Sequence, residues 1–440
     1  MTIRFNPILG VTFGFLLSGL ASTQGAPVEL DLEAAFARAP EANFQILLSG
    51  EALTAEEEST RITRSGLLPQ VSLNASQSRA MSPNVDALTE EFPDFPERFF
   101  NDRFDALVRA RLQVLDFRKW DDWNISRLNL KAVRYQVENT VQEILQQIAS
   151  AYYAHWRNQR RLDVIDANLE RDRLLLRIAE NQQEAGVATR LDVTRAEVAL
   201  AGNELARLQQ ETVLLGSALR LKRVLNIPLE REIVIVDEEI DPAAESVDFS
   251  PSRFTGVLNQ RQDYRQLETE VEREVLSLDA SRRDRLPSID LSGEWGYAAE
   301  SWDDDMREQW SVSLGLSVPV FEGFRLSSQT RLAASNLRRK ELELRDLAQQ
   351  IESDYRLVLQ DLDSRAGQVD LARRVVSLNE RELELARIRF EEGVADNSDV
   401  VDAQAALADA EDTLVEAEFQ YVQARIQLAR IEGEVRSILD

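Results

Sequence analysis

The chain of 440 residues repeats itself. Gly186-Val187-Ala188-Thr189-Arg190-Leu191-Asp192-Val193, followed by Ala196 and Ala199-Leu200, returns about 207 residues later as Gly393-Val394-Ala395-Asp396-Asn397-Ser398-Asp399-Val400, followed by Ala403 and Ala406-Leu407. Leu68-Pro69-Gln70-Val71-Ser72-Leu73 is echoed by Leu286-Pro287-Ser288-Ile289-Asp290-Leu291, and the alternating stretch Phe104 to Phe117 by Trp310 to Gly323. Three echoes in the same order mean that one structural unit is used twice. Any admissible fold is therefore built from two copies of helix, strand, strand, long helix, turn, helix.

The helical parts carry heptads. Val400, Leu407, Leu414, Tyr421 and Leu428 recur every seven residues, as do Ala403, Ala410, Ala417, Ala424 and Ile431. Upstream, Ala348, Tyr355, Leu362, Val369, Val376, Leu383 and Phe390 do the same, beside a stripe at Leu344, Ile351, Val358, Ala372 and Ala386. In the first half Val141, Ile148, Leu162, Leu169 and Leu176 hold that register, with His155 in one slot. A seven-residue period keeps one seam against a neighbour while helices supercoil, and alanines let their axes approach closely. His155 reads as a packed seam residue; without a cysteine or a second histidine it is a poor metal ligand or catalyst.

Residues 119–184 and 326–391 each predict a helix of roughly 100 Å at about 1.5 Å per residue. Residues 191–226 and 252–285 are about half that, and are expected to stack end to end; the N-terminal helix, about 32–65, is expected to stack on the final one. The run Ile233-Val234-Ile235-Val236 reads as a short strand partway along the rod.

Four stretches break the helical period. Val71, Leu73 and Ala75 alternate with Ser72, Asn74 and Ser76; Ile289, Leu291, Trp295 and Tyr297 alternate with Asp290, Ser292, Glu294 and Gly296. The longer pair sets Phe104, Ala106, Val108, Ala110 and Leu112 against Asp105, Arg109, Arg111 and Gln113, and Trp310, Val312, Leu314, Leu316 and Val318 against Ser311, Ser313, Gly315 and Ser317. About ten alternating residues, apolar on one face and polar or small on the other, are the pattern of an outer-membrane barrel strand. A half-buried soluble sheet is the blander alternative. Trp295, Tyr297, Trp302, Trp310 and Phe104 near the strand ends fit an interfacial girdle and favour the membrane.

Four strands cannot close a barrel, and an open edge in hydrocarbon leaves backbone groups unpaired at several kcal/mol each. Several copies must share one barrel. Eight strands enclose only side chains, so three copies, supplying about twelve strands, are the fewest that leave a substantial aqueous lumen. Loops fit the outside: 79–103 with its prolines and phenylalanines, and 300–309 with Asp303-Asp304-Asp305, read as a solvated loop in preference to a divalent-ion site.

Composition narrows function. A formal net charge of −26 argues against nucleic acid as partner. Without cysteine, disulfides, thiolate catalysis and thiolate metal sites are excluded. No Walker loop, Gly-x-Gly-x-x-Gly or His-Glu-x-x-His occurs, and abundant carboxylates on acidic helices read as solvated faces, so an enzyme is not expected and no cofactor is implied. Arg4, the apolar run Ile8 to Leu20 and small residues from Ala21 to Ala26 predict an export signal over 1–26, cleaved near 21–26. That run is shorter than the roughly 20 residues a spanning helix needs.

The duplicated Leu-Leu-Pro-Gln-Val-Ser-Leu and Leu-Pro-Ser-Ile-Asp-Leu strand entries, Pro319-Val320-Phe321-Glu322-Gly323 at the strand-to-helix junction, and the Gly-Val-Ala turns followed by Asp-Val resemble the TolC-like outer-membrane efflux protein family across essentially the whole mature chain. The resemblance implies a mainly α fold with a membrane β-barrel: a homotrimeric channel-tunnel of twelve strands and twelve helices, set in outer-membrane lipid of a Gram-negative bacterium and reaching into the periplasm. It implies the exit duct of a tripartite efflux or type I secretion system, with tips at Gly186, Val187, Ala188, Thr189 and Gly393, Val394, Ala395, Asp396 meeting a periplasmic adaptor (membrane fusion) protein coupled to an inner-membrane pump or ABC transporter. In some members two aspartates three apart line the constricted tip; Asp399 and Asp402 hold that place, where Asp192 and Arg195 stand in the first repeat, and the other reading of the pair is as solvated helix-start residues, Asp399 favouring the N-terminus through the helix dipole. Where some relatives carry a basic latch, this chain has Ala395 and Asp396.

The expected layout is a first repeat over 27–240 (strands about 69–79 and 104–115, long helix 119–184, tip 185–190, helix 191–226) and a second over 241–440 (helix 252–285, strands about 287–299 and 309–319, long helix 326–391, tip 392–397, helix 398–438). The alternative function, a soluble periplasmic coiled-coil adaptor or scaffold, explains export and heptads but not the four strands.

Overall fold

The computed structural model describes residues 28–83, 98–236, 240, 242, 249–392, 394 and 397–439. The expected export segment lies outside the described residues, as do tip residues Gly393, Ala395 and Asp396. The first repeat runs β1 (Val28–Leu30), α1 (Leu32–Ala42), α2 (Phe44–Ser65), β2 (Gln70–Pro83), β3 (Arg98–Leu115), α3 (Phe117–Glu184), α4 (Arg190–Val224) and β4 (Ile233–Ile235). The second runs α5 (Pro251–Gln260), α6 (Gln262–Arg283), β5 (Ser288–Ala299), β6 (Arg307–Ser317), α7 (Arg325–Glu391) and α8 (Asn397–Glu432), then a 3-10 turn (Val435–Leu439).

Strands β2, β3, β5 and β6 form one antiparallel sheet in that order. The central β3–β5 pair, with Val108 opposite Trp295, joins the two repeats. Both outer strands, 14 residues in β2 and 11 in β6, pair on one side only among the described residues. Strand β3 begins at Arg98, so part of the expected 79–103 loop is an extension of the first hairpin, paired out to Pro83 opposite Arg98.

Helices α3 and α7, of 68 and 67 residues, are the two long rods, each about 100 Å. Near the sheet, α3 faces α2 through Arg134–Glu57 and α6 through Lys131–Glu272. Toward the tip it faces α4 through Arg207–Asp166 and α8 through Arg161–Asp412 and Arg171–Glu411. The heptad residues Ile148, Leu169, Tyr355, Val369, Val400, Leu407 and Tyr421 are buried, as a supercoiled seam requires. The largest cluster lies partway along the rods, where Tyr152, Trp156, Leu221, Leu225 and Ile426 pack with Phe36 and the short parallel β1–β4 pair.

The half-length helices stack differently from expectation. The C-terminal end of α4 meets the start of α2: Asn43 Nδ2 donates to the Val224 carbonyl at 2.8 Å and Arg38 Nε to that of Leu225 at 3.1 Å. The end of α8 meets α5 and the start of α6: Arg253 on α5 bonds Glu432 at 2.8 Å, Arg261 at the cap of α6 donates to the Ile431 carbonyl at 3.4 Å, and a Cβ on Gly433 would lie 3.2 Å from the Gln260 backbone. Each short helix therefore stacks on one from its own repeat, α4 with α2 and α8 with α6. Length matching does not distinguish the two arrangements; the chain ends decide it.

The expected helices 32–65 and 252–285 are each broken, at Asn43 and Arg261, where the backbone is extended. Asn43 starts α2 by accepting the Gln45 and Ile46 N–H groups on Oδ1. The final helix stops at Glu432 because Gly433 takes φ +91.

Candidate functional site

Two regions carry chemistry: the faces of the sheet and the hairpin tips. On one face, Val71 and Leu73 of β2, Val108 of β3, Leu291 and Trp295 of β5, and Val312, Leu314 and Leu316 of β6 stand exposed, Leu73 by 76% and Leu314 by 70%. A continuous apolar patch of this kind is not left to water in a soluble monomer. Trp295 lies between Val108 and Trp310 in the register, its ring 5.9 Å from that of Tyr297, and its Nε1 donates to Glu308 at 2.9 Å. An apolar body with a polar tip suits a lipid–water interface. Phe104 is half-buried on the same face, and exposed Trp302 stands in the β5–β6 turn beside exposed Asp303, Asp304 and Asp305.

The opposite face is polar. Arg109 pairs with Glu294 across β3–β5 at 3.3 Å, Arg103 with Asp105 at 2.8 Å, and Ser292 with Ser313 at 2.8 Å. Leu107 is an exception, opposite Gly296 and 3% exposed. A Cβ on Gly296 would fall 2.1 Å from the Ala106 carbonyl oxygen, so only glycine fits there. No helix among the described residues is long and apolar enough to cross a membrane.

At the far end the two long helices close alike. Val187 N donates to the Gln182 carbonyl and Val394 N to the Arg389 carbonyl, both at 2.9 Å, and Gly186 takes φ +77. At the first tip this is a glycine C-cap that lets the chain reverse. Thr189 then starts α4 with a capping box: its N–H and hydroxyl donate to Asp192 Oδ2 at 2.8 and 2.6 Å. The Thr189 hydroxyl bond holds the Asp192 carboxyl below the usual range. Asp192 is thereby committed to its own helix start, with Arg195 at 3.9 Å.

Asp399 and Asp402 are exposed one turn apart on α8, beside buried Val400 and Ala403. Two neighbours were not legible from the sequence. Arg389 on α7 reaches Asp399 at 3.7 Å, and buried Asn397 donates Nδ2 to the Asp192 carbonyl at 2.9 Å, tying the second tip to the first. The signal for Arg389 lies in comparing the repeats, since its counterpart is Gln182. His155 is buried in the α3–α4 seam, its Nδ1 2.9 Å from Ser217 Oγ. Burial, then nearby Lys222, lowers its pKa to about 4, so it stays neutral.

The Outer membrane efflux protein family matches residues 37–226 and 256–434, one segment in each repeat. Over 361 residues the chain is 23% identical to the alkaline protease secretion protein AprF of Pseudomonas aeruginosa, covering 78% of this chain and 72% of that protein. Over 408 residues it is 21% identical to the outer membrane protein TolC of Vibrio cholerae, covering 89% and 88%. The fold superposes on the Campylobacter jejuni CmeC outer membrane channel with a TM-score of 0.78 at 17% identity, covering 91% of this chain and 85% of that one. A coiled-coil adaptor is set aside by these matches, which span the strands as well as the helices. The chain belongs to the outer membrane efflux protein family, an outer-membrane channel family and not an enzyme family.

Proposed function

We propose that three copies assemble one duct, a twelve-stranded barrel in the outer membrane continuous with a periplasmic tube of long helices, which serves as the passive exit of an efflux or secretion machine. The observation that carries this reading is a four-stranded sheet with an exposed apolar face and, among the described residues, two unpaired edges. In hydrocarbon those edges demand partners, and the β6 edge of one copy can meet the β2 edge of the next. Trp295, Tyr297, Trp302, Trp310 and Phe104 then mark the membrane interface.

The tips at Gly186–Thr189 and 393–396 are the surfaces offered to a periplasmic adaptor, and an inner-membrane pump or ABC transporter supplies the energy. Asp399 and Asp402 form carboxylate rings under threefold symmetry, attracting cations and repelling anions at the narrow end. Arg389 half-neutralises the Asp399 ring, and Asn397 holds the hairpins in the closed register. Fractionation and planar-bilayer recording test the reading: the protein should resist salt and carbonate extraction from the outer membrane and conduct when reconstituted. Release as a soluble species would refute it.

A further inference from the structure

We propose that the polar face of the sheet carries an oxyanion-binding ring built on Arg111, placed just outside the junction of barrel and helical tube. The inference rests on the shared barrel proposed above, which turns the polar face inward and brings three copies of Arg111 to one level.

The register sorts the polar face into levels. Closest to the helices stand Gln113, Asp290 and Gly315. One level farther out stand Gln70, Arg111, Ser292 and Ser313. Beyond them come Ser72, Arg109, Glu294 and Ser311. The cations flanking this region have carboxylate partners, Arg109 in Glu294 and Arg103 in Asp105. Arg111 has none within 4 Å among the described residues, is exposed, and shares its level with neutral side chains only.

The carboxylate best placed to neutralise it is turned elsewhere. Asp290 lies over Gly315 on β6, where a Cβ would come within 2.7 Å of its Oδ1. The missing side chain at 315 makes room for that carboxylate on the far side of β5 from Arg111. Meanwhile Ser292 and Ser313 bond each other at 2.8 Å, leaving the guanidinium fork unengaged.

Three such forks facing a common axis make a site for polyvalent oxyanions, because guanidinium binds phosphate and carboxylate groups bidentately and holds its charge at every relevant pH. Rings of arginine select anions as rings of carboxylate select cations. The duct then has opposite preferences at its two ends: carboxylates at the tips and guanidinium at the outer junction, in a chain whose net charge is −26.

The test is block of current by inorganic tripolyphosphate added on the barrel side of a planar bilayer holding the full-length mature protein. Wild type should be blocked, more strongly by tripolyphosphate than by pyrophosphate or phosphate. Arg111→Ser should raise the half-blocking concentration at least about tenfold, and Arg111→Lys by less. Ser292→Asp, which sets a carboxylate directly opposite Arg111 without removing it, should abolish block as well and carries the test if Arg111→Ser does not assemble. Wild-type channels that conduct unblocked, or variants blocked like wild type, overturn the ring. A wild-type protein that forms no channel overturns the barrel reading instead.

Discussion

Asn397, the first residue of α8, donates its side-chain amide to the backbone carbonyl of Asp192, on the first turn of α4, at 2.9 Å. This buried bond links the two hairpin tips of one chain. Losing such a bond costs about 1 kcal/mol, since the Asp192 carbonyl sits in the first turn of α4 with an intrahelical partner of its own. Asn397→Ala is expected to loosen the tips, raising resting single-channel conductance severalfold while the midpoint of global unfolding moves little. Unchanged conductance would show that the bond plays no part in holding the tip closed.

The exposed pair Asp399 and Asp402 should govern permeation at the tip. Asp399→Ala with Asp402→Ala should lower the cation-to-anion permeability ratio and remove block by Mg²⁺ added on the tip side, both read in asymmetric salt. Arg389→Ala should do the reverse and strengthen Mg²⁺ block, because it frees Asp399 from its ion pair. The same sign of change in both variants would rule out the Arg389–Asp399 pairing as a tuning element.

Gly296→Ala should prevent assembly. Its Cβ would meet backbone of β3, the Ala106 oxygen at 2.1 Å and Leu107 Cα at 2.9 Å, at the strand pair that joins the repeats. Gly293→Ala on the same strand is the control, since nothing lies closer than 3.7 Å there. Outer-membrane recovery of oligomer should collapse for the first and persist for the second; equal recovery would contradict the register.

The buried neutral His155 predicts a pH dependence. Its folded pKa of about 4 lies below the ordinary 6.5, so between those values the unfolded chain binds a proton that the folded chain refuses. Stability is complete above about pH 6.5 and falls as pH drops toward 4, by up to about 3 kcal/mol per chain. Denaturation midpoints at pH 8 and pH 5 should move less in His155→Gln than in wild type, the carboxylates common to both cancelling. An identical shift would mean that His155 takes up its proton equally in the folded and unfolded chain, against the neutral buried state.

What the sequence disclosed was local. Alternation assigns Val71, Leu73 and Val312 to one face because each strand residue's side is fixed by its neighbours, and the heptads at Val400 and Tyr421 mark a seam for the same reason. Features joining distant segments were hidden. Nothing local says that Val108 faces Trp295, that Asp290 turns over Gly315, or that α4 abuts α2 and not α6. The break at Arg261 carries no side-chain cap, proline or glycine to announce it. At the tip, Asp399 and Asp402 stood out by spacing, whereas Arg389 and Asn397 acquire meaning only once the hairpins close and meet.

Mass measurement of the mature protein purified in detergent decides whether three chains share one barrel. A single species of three chains is expected, in which a cysteine introduced on the free edge of β2 cross-links to one on the free edge of β6 of a neighbouring copy, against a background free of native cysteine. A monodisperse single chain that stays in solution after detergent removal, with no cross-link between those edges, would contradict it.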